Sequence, residues 1–159
     1  MFSSNNNYYR APVFSKESMP RTTPLLKFSF DYSEFNCRIP VVPVRFIRGD
    51  GKSSAIIYAV LDSGAEEIVI REDLARWLNL KLIPKQAPAL TAGGQKQCLT
   101  GTVTAFVLGR GGREIRHENI EVSVIEGNPA ILIGIHPVFE DYIVTIDAHN
   151  KKFMLDPRK

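Results

Sequence analysis

The chain has 159 residues, of which 44% are hydrophobic and 23% are charged, so it is long enough for one domain with a buried core. Its formal net charge is only +3 and its basic residues are scattered among acids, which argues against a nucleic-acid-binding surface. We find no run of eighteen apolar residues and no basic-then-apolar leader, so we expect no membrane span and predict a cytoplasmic protein.

Residues 1–26 are predicted to form a flexible N-terminal arm. They contain three consecutive asparagines, several serines and three prolines, and their apolar residues follow no sustained period. The folded domain is predicted to span residues 27–159.

Beyond the arm, short segments rich in Val, Ile and Phe alternate with turn residues, which is typical of an all-β domain. Clusters of Gly, Asn, Asp and Pro at 49–51, 109–112 and 127–129 supply the backbone conformations that tight turns need. The predicted strands cover residues 27–32, 39–47, 55–61, 68–70, 102–108 and 120–125, followed by a terminal hairpin of 143–146 and 152–155.

Two short helices interrupt this β pattern. Residues 71–80 place Leu74, Trp77 and Leu78 at a spacing of three to four residues after two acids, which predicts an amphipathic helix with these three side chains in the core. A second short helix is predicted at residues 137–142, before the terminal hairpin.

Cysteines and histidines offer no recognisable metal site. Cys37 and Cys98 are too few for a disulfide framework or a zinc cluster, so we expect free thiols. His117, His136 and His149 lack the spacing of metal ligands. We therefore predict neither a metal ion nor another cofactor.

The most informative residue is Asp62, which follows the apolar segment ending at Leu61. A carboxylate at the end of an apolar strand loses hydration, which costs several kcal/mol unless it is paired, hydrogen-bonded or protonated. Gly64 and Ala65 add little bulk and Ser63 offers a hydroxyl donor, so the backbone can approach the carboxylate closely. An ordinary Asx turn would explain the same tripeptide.

The sequence Asp62-Ser63-Gly64-Ala65 after two apolar residues resembles the D-T/S-G-A motif of retropepsin-like aspartic proteases. About seventy residues later, Ala130-Ile131-Leu132-Ile133-Gly134 resembles the second motif of the family, which packs against the catalytic loop. Between them, the Gly-bearing segment 91–98 lies where the family has its flap, a hairpin that closes over substrate.

The resemblance covers roughly residues 27–155 and implies a closed acid-protease β-barrel with one or two short helices. Two positions depart from the viral pattern, since Ser63 stands for the commoner Thr, and Ile135-His136 stands where viral members often carry an Arg that braces the dimer. The predicted helix at residues 71–80 is longer than that of the viral enzymes and is more similar to the helix of the cellular and bacterial branch.

The resemblance also implies a dimeric enzyme. An aspartic protease needs two carboxylates about 3 Å apart that share one proton, and this chain carries one such motif. A homodimer would supply the second Asp62 across a two-fold axis. The predicted catalytic residues are then Asp62, Ser63 and Gly64, and the substrate is an extended peptide.

The same resemblance implies that Ala65, Glu66, Glu67, Gly93 and Gly94 contact this peptide. Solvated charges at Glu66 and Glu67 and a plain hairpin turn at Gly93-Gly94 are the simpler alternatives. The competing function is a catalytically silent dimeric module of the same fold that binds or scaffolds peptides.

Overall fold

The computed structural model describes residues 28–158 except 36, 87, 92, 93, 112 and 128. The predicted N-terminal arm, residues 1–26, therefore lies outside the described residues. The described residues form twelve strands: β1 (Phe28–Asp31), β2 (Val41–Ile47), β3 (Ile57–Leu61), β4 (Ile68–Arg71), β5 (Ile83–Pro84), β6 (Ala89–Thr91), β7 (Gly94–Lys96), β8 (Leu99–Arg110), β9 (Arg113–Ile125), β10 (Leu132–Ile133), β11 (Tyr142–Asp147) and β12 (Lys152–Pro157).

Six of these strands form a closed barrel. The hydrogen-bonded order is β2-β3-β10-β4-β9-β8, and β8 pairs again with β2, while β5 adds to β8. Most pairs are antiparallel, but β4 runs parallel to β9 and β10 runs parallel to β3. Closure lets the barrel strands pair on both sides, so their backbone groups are satisfied without an open edge.

The barrel is filled by apolar side chains that alternate along its strands. Val42, Val44 and Phe46 of β2 are fully buried, and the rings of Phe46 and Phe106 pack with their centroids 5.6 Å apart. The strands β8 and β9 form a long hairpin that is closed by the turn after Arg110. Burial of these β-branched and aromatic residues is the main force that stabilises the fold.

A second, three-stranded sheet has the order β1-β12-β11 and is wholly antiparallel. Its buried face contributes Phe153 and Leu155 to the same core, and the rings of Phe28 and Phe30 pack on Phe153. The predicted terminal hairpin is therefore present, and it also pairs with the first described strand.

The helices are short. The helix α1 spans Glu72–Trp77, a 3-10 turn spans Ser33–Phe35, and a kinked helical segment spans Ile135–Phe139. Leu74 and Leu78 are buried as predicted, but the expectation of a core position for Trp77 was wrong, since 38% of this residue is exposed. Arg48 stacks over the Trp77 ring at 5.3 Å, which covers its face from outside the core.

The prediction of an all-β domain with one or two short helices is confirmed. Within the described part of the chain, no helix is long and apolar enough to cross a membrane. Cys37 and Cys98 are both free thiols, as expected.

Candidate active site

Asp62 is positioned by main-chain hydrogen bonds from a strand far along the chain. It directly follows β3, and its N–H donates to the Ile133 carbonyl at 3.0 Å. Two residues earlier in the chain, the Val60 N–H donates to the Ile131 carbonyl at 2.9 Å. The second apolar motif of the sequence is thus the neighbouring strand of the Asp62 segment, in parallel register.

The carboxylate of Asp62 is oriented by the loop that follows it. The Gly64 N–H donates to Asp62 Oδ1 at 2.8 Å, and the Ala65 N–H donates to the Asp62 carbonyl at 3.2 Å. A Cβ at position 64 would lie 3.1 Å from Oδ1, so glycine leaves the carboxylate in place. Asp62 itself is half-buried.

Gly134 brings the two motifs into direct contact. A Cβ at this position would lie 2.4 Å from the Glu67 carbonyl oxygen and 2.6 Å from that of Ala65. Two further main-chain bonds fix the same contact, because the Ile135 N–H donates to Ala65 and the His136 N–H donates to Glu66, both at 2.8 Å. Both donors belong to Ile135-His136, one of the two places where the sequence departs from the viral pattern, so main-chain hydrogen bonds hold the loop there.

The predicted substrate residues Glu66 and Glu67 have different surroundings. Glu66 is exposed, whereas the side chain of Glu67 is only 14% exposed. The carboxylate of Glu67 accepts hydrogen bonds from Lys85 Nζ and Ser123 Oγ. Glu67 therefore faces a part-buried polar cluster, and Glu66 and Ser63 are the exposed side chains of the loop.

Lys85 carries the positive charge of this cluster. Its burial lowers its pKa, but the hydrogen bond to Glu67 and the charges of Glu67, Glu66 and Glu121 act in the opposite direction and raise the pKa above its usual value. Lys85 therefore carries a positive charge at neutral pH.

The predicted flap is a separate two-stranded hairpin made of β6 and β7. Gly94 is exposed and has a φ of +99°, a left-handed conformation that favours glycine. Gly93 lies outside the described residues. The structure thus gathers Asp62, Ser63, Gly64, Ala65 and Glu66 in one loop, with Gly94 on the hairpin.

Sequence reasoning did not select Lys85 or Ser123. Ser123 is 4% exposed between the buried Val122 and Val124, and a polar residue inside such an apolar run is a signal that could have been read as a buried hydrogen-bond partner. Lys85 offers no such signal. Among the described residues, no group of three or more His, Cys, Asp or Glu side chains could hold a metal ion.

The barrel and the Asp62 loop define a retropepsin-like fold. A retropepsin-like aspartic protease from Rickettsia conorii has a similar structure, with a TM-score of 0.58 and 18% identity over 83% of this chain and 100% of its own. EIAV protease complexed with the inhibitor HBY-793 matches with a TM-score of 0.43 and 18% identity over 64% of this chain and 86% of its own. The retroviral protease-like domain of Ddi1 from Leishmania major matches with a TM-score of 0.44 and 16% identity, over 75% and 94% respectively.

The sequence itself gives the family. The family model described as aspartyl protease matches residues 42–136, which is more than half of the chain and includes both motifs. This protein therefore belongs to the aspartyl protease family. No curated protein sequence matches the chain.

Proposed function

We propose that this protein is an aspartic endopeptidase that is active as a homodimer, with one catalytic Asp62 from each subunit. The observation that carries the proposal is the Asp62 loop. Asp62 is half-buried, and the Gly64 N–H orients its carboxylate. The main chain of the loop is held in place by Ile133 and Gly134, which belong to the second motif. Catalysis depends on such pre-organised groups more than on any flexible contact.

The need for a dimer follows from the chemistry. Two carboxylates that share one proton titrate as a unit, because like charges so close cannot both ionise. The chain supplies one Asp62 in such a loop, and a two-fold axis beside it would supply the other. Ser63, exposed next to Asp62, is the residue that we assign to contact between the two loops.

In the proposed reaction the ionised Asp62 takes a proton from a water molecule as the water attacks the scissile carbonyl carbon. The protonated Asp62 of the second subunit donates a hydrogen bond to the carbonyl oxygen and so stabilises the negative charge that forms there. Collapse of the tetrahedral intermediate then breaks the C–N bond, and the amine leaves with a proton from the carboxylate pair.

The substrate is proposed to bind as an extended strand between the catalytic loop and the β6–β7 hairpin. Ala65 and Glu66 would contact its backbone from the loop side, and Gly93 and Gly94 from the hairpin side. Glu67, whose carboxylate is engaged by Lys85 and Ser123, is assigned a role in holding the loop. The cytoplasmic location inferred from the sequence stays a prediction.

The first test is cleavage of an unstructured protein such as casein between pH 4 and pH 7. We expect cleavage by the wild-type protein, with a specific activity that rises with protein concentration as dimers form. Asp62→Asn should lower the rate by more than about a hundredfold, because it removes the general base without changing the shape of the side chain. Asp73→Asn, at a largely exposed aspartate in the first turn of α1, is the matched control and should leave the rate unchanged.

Mixing the wild-type protein with Asp62→Asn tests whether each subunit gives one Asp. At equal amounts and with free exchange, about a quarter of the dimers contain two wild-type subunits, so the activity should fall to about half of that of the wild type alone. Unchanged activity in the mixture would mean that one subunit suffices. No cleavage by a verified wild-type dimer would favour the silent peptide-binding module instead.

A further inference from the structure

The base of the β6–β7 hairpin is joined to the barrel at Lys85. The strand β5 pairs with β8 up to Pro84 opposite Leu99, and the Lys85 N–H then donates to the Cys98 carbonyl at 2.9 Å. Beyond this bond, β6 and β7 pair with each other in a sheet of their own. In the described part of the chain, Lys85 thus marks the point where the hairpin leaves the barrel.

The main chain of Lys85 is also held by the returning arm of the hairpin. The Gln97 side-chain amide donates to the Lys85 carbonyl at 2.9 Å. These bonds connect the segment that enters the hairpin, at Lys85, with the segment that leaves it, at Gln97 and Cys98. A rotation of the hairpin relative to the barrel would therefore have its pivot near Lys85.

The side chain of Lys85 makes a second connection, to the catalytic loop. Its ammonium group donates to the Glu67 carboxylate and to Ser123 Oγ, the latter at 3.3 Å. The Ser123 hydroxyl in turn donates to Glu67. The side chains of Lys85 and Glu67 are 28% and 14% exposed, and Ser123 is buried, so water competes little for these bonds.

Glu67 belongs to the loop that carries Asp62. Its main chain contacts Gly134 closely, and β4 begins at the next residue. Ser123 is anchored independently, since it lies on β9 between β4 and β8. The ion pair therefore joins three parts of the molecule: the pivot of the hairpin, the barrel wall and the catalytic loop.

We propose that Lys85 is a positioning residue, which fixes the base of the β6–β7 hairpin relative to the Asp62 loop through Glu67 and Ser123. The inference rests on the proposed function, in which the hairpin closes over the substrate. It assigns Lys85 no chemical step. Loss of the ion pair frees the pivot, and the hairpin then no longer holds the peptide in line with the carboxylates.

The experiment compares Lys85→Met, Lys85→Arg and Glu67→Gln with the wild-type protein. Lys85→Met keeps the length of the side chain and removes its charge, while Lys85→Arg keeps the charge. Lys81→Met, at an exposed lysine between α1 and β5 and four residues before Lys85, is the matched control. All rates are measured well below the unfolding temperature of each variant, so that a loss of stability alone leaves the folded fraction unchanged.

Two readouts are needed. In peptide cleavage, Lys85→Met and Glu67→Gln should lower kcat by roughly tenfold to a hundredfold with a smaller change in KM, because a misplaced substrate reacts slowly once bound. Lys85→Arg, which keeps the charge, should retain most of the wild-type kcat. In hydrogen exchange, the amides of residues 94–96 should exchange about tenfold faster in Lys85→Met, whereas those of β9 should not change.

The outcomes separate this inference from the proposed function. Unchanged kcat in Lys85→Met, with or without a lower unfolding temperature, would overturn the positioning role while leaving the protease intact. Equal changes in Lys81→Met would also overturn it. If the wild-type protein cleaves nothing, the proposed function fails, and unchanged exchange of residues 94–96 in Lys85→Met would then disprove the connection itself.

Discussion

Gly134→Ala is expected to destabilise the protein strongly, although alanine suits the backbone there. Gly134 has φ −85° and ψ −167°, which any residue adopts, so the effect is steric. The added Cβ would lie 2.4, 2.6 and 2.7 Å from three main-chain atoms of Glu67 and Ala65. Ordinary van der Waals contacts of a carbon atom begin at about 3.5 Å, so the catalytic loop must move by about 1 Å.

The magnitude follows from the contacts that this movement breaks. Overpacking of a rigid site costs about 1–3 kcal/mol. The two hydrogen bonds from Ile135 and His136 to the loop are each worth about 1 kcal/mol. We therefore expect a loss of about 3–5 kcal/mol in the free energy of unfolding.

The assay is urea denaturation followed by circular dichroism, with the slope compared between variants to verify that the same surface unfolds. Gly49→Ala is the control, because its Cβ would meet only Thr104 Oγ1 at 3.8 Å, and it should change the stability by less than about 0.5 kcal/mol. A Gly134→Ala protein as stable as Gly49→Ala would refute the view that β10 and the catalytic loop are held at a fixed close distance.

Two more substitutions test the Asp62 loop and the turn at Asp147–Asn150. Gly64→Ala places a Cβ 3.1 Å from Asp62 Oδ1 and should lower kcat by about tenfold or more while changing the stability by less than about 1 kcal/mol; full activity would contradict the role of Gly64. The pKa of Asp147 is lowered by two hydrogen bonds from Asn150, of which the one from the main-chain N–H has the larger effect and the one from the side chain the smaller. A carboxyl whose pKa is lower in the folded state contributes stability above its unfolded pKa of about 3.9, and this contribution is lost as the pH falls through the folded value. The difference in unfolding temperature between the wild type and Asp147→Asn should therefore shrink from pH 6 to pH 3, and a constant difference in thermal melts would exclude this linkage.

The barrel strands could be predicted from the sequence where hydrophobic residues and turn residues alternate. The segments 41–47 and 57–61 are strands close to their predicted bounds because they bury apolar side chains such as Val42, Val44 and Leu61. The extension of β9 back to Arg113 was not predicted, since residues 113–119 are mostly charged. They are strand because they pair with β8 across the Arg110–Arg113 turn.

The Asp62 loop was predicted from its motif, and its partner strand only by resemblance. The strand β10 has two residues, too few for any periodicity, and it exists because β3 and β4 leave a gap between them that it fills. Likewise, α1 ends at Trp77 and not at Leu80, and Asn79 has a positive φ of 57° just beyond it. Lys85 could not have been selected, because its importance depends on which acids the fold brings near it.

The parallel pairing of β10 with β3 also has a consequence for biosynthesis. The carbonyls that accept hydrogen bonds from the Val60 and Asp62 amides belong to residues roughly seventy positions later, and contacts between such distant residues slow folding. A nascent chain that has not yet released residue 134 from the ribosome lacks the strand that holds Asp62 in place. Under the proposed function, the protein can cut peptides only after residue 134 has left the ribosome, so the order of the two motifs along the chain sets the earliest point at which proteolysis can begin.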